Sequence, residues 1–305
     1  MDRERLLLQL LHMVCGSNGF LTNTDFQGLL FLFVKKYAKD ETAYEFVPHR
    51  FGPFSYTCFQ DKWKLMKRGL LKKNQKYWQL TRFGAKLVER YPEQLPAMSL
   101  FKDGYGKLRG ERLMIEHYCQ YPFYATRSEI LEQVLPNLNY RQHVICAQAP
   151  RIKGGILTFY LEFYLERFLN QLLQNSVNLI VKLQPNPCGA ERVATKTLMK
   201  ACKDLDIRYE HLPDLDYAEY CPEQWPNRTT WMDAYEQRIK SSPGLSTIRT
   251  WLNEGHRLAL VDVEYSGNNH DSPRFRAAKL LLPDQAKSEA IYYSVKLNRL
   301  GSPVN

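Results

Sequence analysis

The sequence has no apolar run approaching the roughly 20 residues that cross a bilayer; its longest, such as Leu29 to Val34 and Leu258 to Val261, are far shorter. No apolar segment with a small-residue cleavage site follows the charged start, so a soluble, unsecreted, cytoplasmic protein with no membrane partner is expected. Cysteine pairing is missing as well. The seven cysteines (Cys15, Cys58, Cys119, Cys146, Cys188, Cys202, Cys221) are odd in number and scattered without a C-x-x-C pair. That argues against a disulfide framework and a zinc knuckle, and fits a reducing compartment. H-E-x-x-H, G-x-x-x-x-G-K-[ST], G-x-G-x-x-G and G-x-S-x-G are all lacking. Metalloprotease, P-loop, dinucleotide and hydrolase-elbow chemistries therefore have no support.

What is present is enough for packed cores: 305 residues, 44% hydrophobic and 13% aromatic, suit two domains of ordinary size. The net charge of +10 is unevenly placed. Residues 1–92 hold 16 Lys or Arg against 8 Asp or Glu, which is +8 of the total. Within them, residues 62–90 hold ten bases and one acid, Glu89. A basic run is usually only a solvated face, but this one falls on a particular local pattern.

Leu6, Leu7, Leu10, Leu11 and Val14 recur at helical spacing, and Gly16 with Gly19 closes a first helix over 3–15. Thr22 or Thr24 caps a second, through Phe26, Leu29, Leu30, Phe33 and Val34, ending near Lys39 and Asp40. After an extended piece at 44–47, a loop from Pro48 to Pro53 carries His49 and Arg50. Ser55 caps a third helix to Arg68, with Gly69 at its end. Its spacing predicts a core stripe of Phe59, Trp63, Met66 and Leu70, and a wet stripe of Thr57, Asp61, Lys64 and Arg68. Leu70 to Leu80 reads as a β-hairpin with a lysine-rich tip, 72–76, and Thr81 caps a fourth helix through Phe83, Leu87 and Val88.

Three helices, a hairpin and a closing helix make a winged helix-turn-helix, in which the third helix enters the major groove and the hairpin follows the backbone. DNA is therefore the expected partner, with His49, Arg50, Thr57, Lys64, Lys67, Arg68, Lys72, Lys73, Lys76 and Arg82 as candidate contacts. The alternative is a protein-interaction module with a basic exterior. A single such module has a small footprint, so a homodimer reading paired half-sites is also expected.

Pro92, Pro96, Gly104, Gly106 and Gly110 mark a boundary, and residues 93–153 read as a helical linker with helices at 111–121 and 129–135. From 154 to 305 strands alternate with helices: strands at 156–160, 178–183, 209–212 and 258–263, helices at 165–174, 195–205, within 239–253 and at 273–282. The alternation predicts a mostly parallel, doubly wound α/β domain. The fold class is thus α/β, a winged helix preceding a parallel-sheet domain.

The block 156–282 resembles the bacterial domain-of-unknown-function family numbered 488. The likeness rests on the order of elements and on the strand ending at Tyr160, L-E-R-F-L at 165–169, N-P at 186–187 and I-R-Y-E-H-L-P-D-L at 207–215, with Glu264 and Arg274 closing it. The run F-V-P-H-R-F-G-P-F-S at 46–55 resembles a winged-helix extension fused to some members. Where members carry glycines, D-x-R and C-H-R, this chain has F-Y-L-E, K-L-Q-P-N-P and S-P-R. The resemblance accordingly implies a domain that binds rather than catalyses.

A doubly wound sheet holds its ligand beyond the carboxyl ends of its strands, which gathers Tyr160, Gln184, Asn186, Cys188, His211, Asp214, Glu264, His270 and Arg274. Tyr160, Gln184, His211, Glu264 and Arg274 are the candidate ligand contacts. Ser272-Pro273-Arg274 has the form of a capped helix start whose amides suit an anion, or simply of a structural cap. Cys188 with His211 or His270 is a nucleophile and base only if the fold joins them. Asp204, Asp206, Asp214, Asp216 and Glu219 read as a solvated edge before a Mg²⁺ site, and Tyr160, Phe163, Tyr164 and Phe168 as a buried helix face. No catalytic residue, metal or cofactor is assigned; the sheet domain is expected to bind a ligand or a protein partner, an enzyme acting on nucleic acid or nucleotides being the alternative.

Overall fold

A computed structural model describes residues 3–38, 44–90, 96–160, 165–183, 190–216, 228–262 and 272–282. The chain forms two compact units, one of Met1–Gln148 with Tyr164–Asn170, the other of Ala149–Phe163 with Gln171–Asn305. No helix among the described residues is long and apolar enough to cross a membrane.

The first unit is built on α2 (Asn23–Tyr37), whose residues Phe26 to Val34 are buried without interruption. Its start is fixed by Thr22, whose hydroxyl accepts from the Asp25 amide at 3.0 Å and donates to the Asp25 carboxylate at 2.8 Å. Around it lie α1 (Arg3–Cys15), β1 (Phe20–Thr22), the short hairpin β2 (Val47–His49) and β3 (Gly52–Phe54), α3 (Tyr56–Lys67), β4 (Tyr77–Gln79) and α4 (Arg82–Arg90). Strand β4 pairs antiparallel with β1, and Leu71 bridges Leu80 on the other side of the 72–76 loop. Phe26 stacks on Trp78 with centroids 3.8 Å apart, locking the strand onto α2.

The helices read as a linker do not stand apart. In α5 (Pro96–Tyr105) and α6 (Gly110–Gln120), Phe101 and Leu113 join the same core as α2. The short α7 (Leu131–Val134) and α8 (Leu138–Cys146) contribute Val134 and Val144 to a satellite cluster with Tyr118. Proline and glycine punctuate the chain here without ending the domain, because the helices between them carry apolar faces that only this core covers.

The second unit is a parallel α/β sheet. Strands β5 (Ile156–Tyr160), β6 (Leu179–Lys182), β7 (Arg208–His211) and β8 (Leu258–Asp262) lie in the order β5-β8-β6-β7, every pair parallel. Between them run α9 (Leu165–Gln174), whose first residues belong to the first unit, then α10 (Ala190–Asp204), α11 (Arg228–Lys240) and α12 (Pro243–Asn253); α13 (Pro273–Leu281) follows β8. Leu179, Val181, Leu258 and Leu260 pack into one cluster with residues of α11, α12 and α13, while the alternate residues Ile180, Ala259 and Val261 are equally buried. The central strands β8 and β6 are therefore covered on both faces, which is why they read as apolar runs, whereas the edge strand β7, R-Y-E-H, is polar and only half-buried.

Candidate functional site

Residues 72–76 are exposed throughout, three of them lysines, yet the loop is closely tied down. Lys72 donates its amide to Gln79 O at 2.9 Å, and Asn74 Oδ1 accepts from the amides of Lys76 at 2.9 Å and Tyr77 at 3.2 Å. From α2, the Asn23 amide reaches Lys76 O at 3.1 Å and Asn23 Nδ2 reaches Gln75 O at 2.7 Å. The remaining brace is Lys62. Its ammonium donates to Asn23 Oδ1 at 2.7 Å and Gln75 O at 3.1 Å, and lies over the rings of Trp78 and Phe59 at 5.1 and 5.6 Å. At 1% exposure its charge is removed from the surface, and burial pushes its pKa down to about 8.

Helix α3 is turned differently from its apolar spacing. Trp63 is 39% exposed, whereas Asp61 and Lys62 are on the core side with Cys58, Leu65 and Met66. The reason is that both charges are satisfied there. Asp61 accepts from Arg3 at 2.6 Å, Lys64 at 2.8 Å and the Tyr44 hydroxyl at 3.0 Å. A buried charge with partners is tolerated where an unpaired one is not, and apolar periodicity does not register it.

The start of α3 is occupied. Glu166, 2% exposed, accepts from the Ser55 hydroxyl at 3.0 Å, the Thr57 amide at 2.7 Å and the Thr57 hydroxyl at 2.9 Å. Two neighbours on α9 fasten the same segment: Arg167 pairs with Glu45 at 2.7 Å, and Asn170 donates to Phe46 O at 2.7 Å. An acidic side chain thus sits where the free amides and dipole of a helix start would receive an anion. Thr57 is committed to that carboxylate and does not face solvent as a free donor.

Of the other candidate contacts, Lys64, Lys67, Arg68, Lys72, Lys73, Lys76 and Arg82 are exposed. Lys64 is paired with Asp61, and Arg68 with Glu4. On the β2–β3 hairpin, His49 is half-buried and stacked on Phe54 at 4.8 Å, while Arg50 is exposed with its guanidinium 5.6 Å from the Phe51 ring. Taking Lys62 out leaves nine exposed bases in 62–90 against one exposed acid, Glu89.

At the carboxyl side of the parallel sheet, His211 pairs with Asp216 at 2.8 Å, and Lys182, the last residue of β6, is buried. Burial raises Asp216, opposed by the His211 pairing. Burial also acts on Asp214, but hydrogen bonds from Ser242 and from the Gly244 amide at 2.6 Å hold it below the usual range. Asp214 therefore caps α12 and is not a crevice group. Arg274 is buried in the first turn of α13, where Ser272 Oγ accepts from the Phe275 amide at 3.4 Å, a capped helix start as its sequence predicts. Asp204 pairs with Lys200 at 2.5 Å, and no cluster able to hold a metal occurs among the described residues. Phe168 is buried as expected. The Tyr160 side chain and Gln184, Asn186, Cys188, Glu219, Glu264 and His270, with Phe163 and Tyr164, lie outside the described residues.

No family model matches the chain, and neither a curated protein nor a solved structure does. The site rests on its geometry alone. Two of its residues have no sequence signal: Lys62 looks like one more surface lysine, and Glu166 meets Ser55 across 111 positions of chain. Phe20 and Tyr77, outside this set, are exposed aromatic residues near the lysine-rich loop: Tyr77 follows it directly, whereas Phe20 comes beside it only through the pairing of β1 with β4, which local sequence does not signal.

Proposed function

We propose that the protein binds DNA through the basic exterior of its first unit, a winged helix-turn-helix module with the 72–76 loop as its wing. The observation that carries this reading is the charge on 62–90: nine exposed bases, one exposed acid, and a lysine-rich loop held in shape by a buried lysine. Such a surface attracts phosphates, and a braced loop loses little conformational freedom on meeting them. The element order supports it too, with β1 and β4 paired and the loop closed by the Leu71–Leu80 bridge. Glu166 at the start of α3 moves the contact away from Thr57 and toward the loop and the far half of α3, where Lys64, Lys67 and Arg68 are exposed.

For the second unit we infer binding of a ligand or a protein partner, a reading that rests on the crevice a parallel α/β sheet offers beyond the carboxyl ends of its strands. The resemblance to family 488 has no matching family model behind it and carries no part of this proposal. Titration of the full chain against duplex DNA at increasing salt tests the reading. Affinity should fall linearly in log–log form, by about 0.9 per phosphate neutralised. No binding at low salt, or binding indifferent to salt, would instead favour a protein-interaction module.

A further inference from the structure

The register of β1 against β4 sorts its residues onto two faces. Leu21 lies opposite Trp78, and both are buried under α2. Phe20 lies opposite Gln79 and Thr22 opposite Tyr77, so Phe20 and Tyr77 are diagonal neighbours on the outer face. Their rings meet edge to face, centroids 5.0 Å apart at 79°, and they are 58% and 37% exposed. An edge-to-face contact uses one face of one ring only. Two aromatic rings are thus left in water at the base of a loop held by Lys62.

Charge decides what could cover them. Lys76 directly precedes Tyr77, and Lys72 and Lys73 occupy the same exposed loop. The nearby carboxylate of Asp25 is engaged by the Thr22 hydroxyl at 2.8 Å and the Gly110 amide at 2.7 Å. The fitting occupant is flat, apolar on its face and attached to an anion, which is the description of a nucleobase on its phosphate. Bases inside a duplex already stack on both sides; apart from the end pairs, it is an unpaired base that has a face to offer. We propose that Phe20 and Tyr77 are a stacking platform for unpaired bases, and that the preferred DNA carries a single-stranded stretch beside its duplex. This deepens the DNA-binding reading and rests on it.

The test compares a blunt duplex with the same duplex bearing a short single-stranded tail, using the full chain and fluorescence anisotropy. The tail should tighten binding by about tenfold, and 2-aminopurine placed in it should be quenched on binding. The Phe20→Leu, Tyr77→Leu double variant should lose both the gain and the quenching, with blunt-duplex affinity, its salt slope and the melting temperature unchanged. Tyr77→Trp should keep them. Equal affinity of the wild type for the two probes, or a double variant that retains the gain, overturns the platform while leaving duplex binding intact. Binding to neither probe overturns the DNA reading itself.

Discussion

The ammonium of Lys62 lies 3.1 Å from the carbonyl oxygen of Gln75, so a lysine buried in the first core reaches up to hold the middle of an exposed lysine-rich loop. One buried base joins Asn23 and Asn74 in holding the loop's shape, and three exposed bases give it its charge.

Lys62→Met should leave the core packed, since Met fills a similar volume among the Phe59 and Trp78 rings, but should free the loop. Hydrogen exchange at the Lys76 and Tyr77 amides should speed up, and DNA affinity should fall. The pKa depression carries a sign. Below about 8 the lysine is charged in both states and its burial weighs fully against folding; between about 8 and 10.5 the unfolded chain holds the extra proton. Wild type should therefore gain stability over the variant as pH rises through that window. A flat difference in urea unfolding across it would contradict the buried, charged assignment.

Glu166→Ala removes the acceptor shared by Ser55 and Thr57, so the Thr57 amide at the start of α3 loses its partner while Ser55 Oγ still caps the Cys58 amide. A destabilisation of about 1 to 3 kcal/mol is expected from urea unfolding, with Glu166→Gln costing less. A change below about 0.5 kcal/mol would mean that this carboxylate does not hold the start of α3.

Gly52 has a φ of +101°, and a Cβ added there would stand 2.9 Å from His117 Cε1 and 3.0 Å from Tyr118 Cε1. Gly52→Ala should destabilise by roughly 1 to 3 kcal/mol from backbone strain alone, with the clash adding to it. A thermal midpoint equal to wild type would place the β2–β3 hairpin differently.

Burial pushes the His117 ring down to about 3 from the ordinary 6.5. The folded state keeps it neutral while the unfolded chain takes up a proton. Stability tied to this residue is complete above 6.5 and falls as pH drops toward about 3, by at most about 1.4 kcal/mol per pH unit. His117→Leu should flatten that part of the pH profile, and an unchanged slope would show that the ring is not the group responsible.

Periodicity made most of the fold legible. The caps at Thr22, Ser55 and Ser272 and the parallel strands were all readable, because each is written in neighbouring residues. The face of α3 was not, since Asp61 and Lys62 go inward on the strength of partners at Arg3, Tyr44 and Asn23. The reach of the first unit was hidden for the same kind of reason. Phe101 and Leu113 join its core, and Glu166 its helix cap, from beyond the proline-rich stretch that looked like a boundary. The exposed lysines could be named from sequence, but not which of the ten bases was buried.

Whether the 72–76 loop meets phosphates is read from the salt dependence of duplex binding by the full chain with Lys72, Lys73 and Lys76 all changed to Ala. All three are exposed and no side-chain brace of the loop is among them, so the fold should be untouched. Affinity should drop on every duplex tested, and the log–log slope should flatten by about 0.9 for each phosphate no longer neutralised. An affinity and slope equal to wild type would take the loop out of the interface.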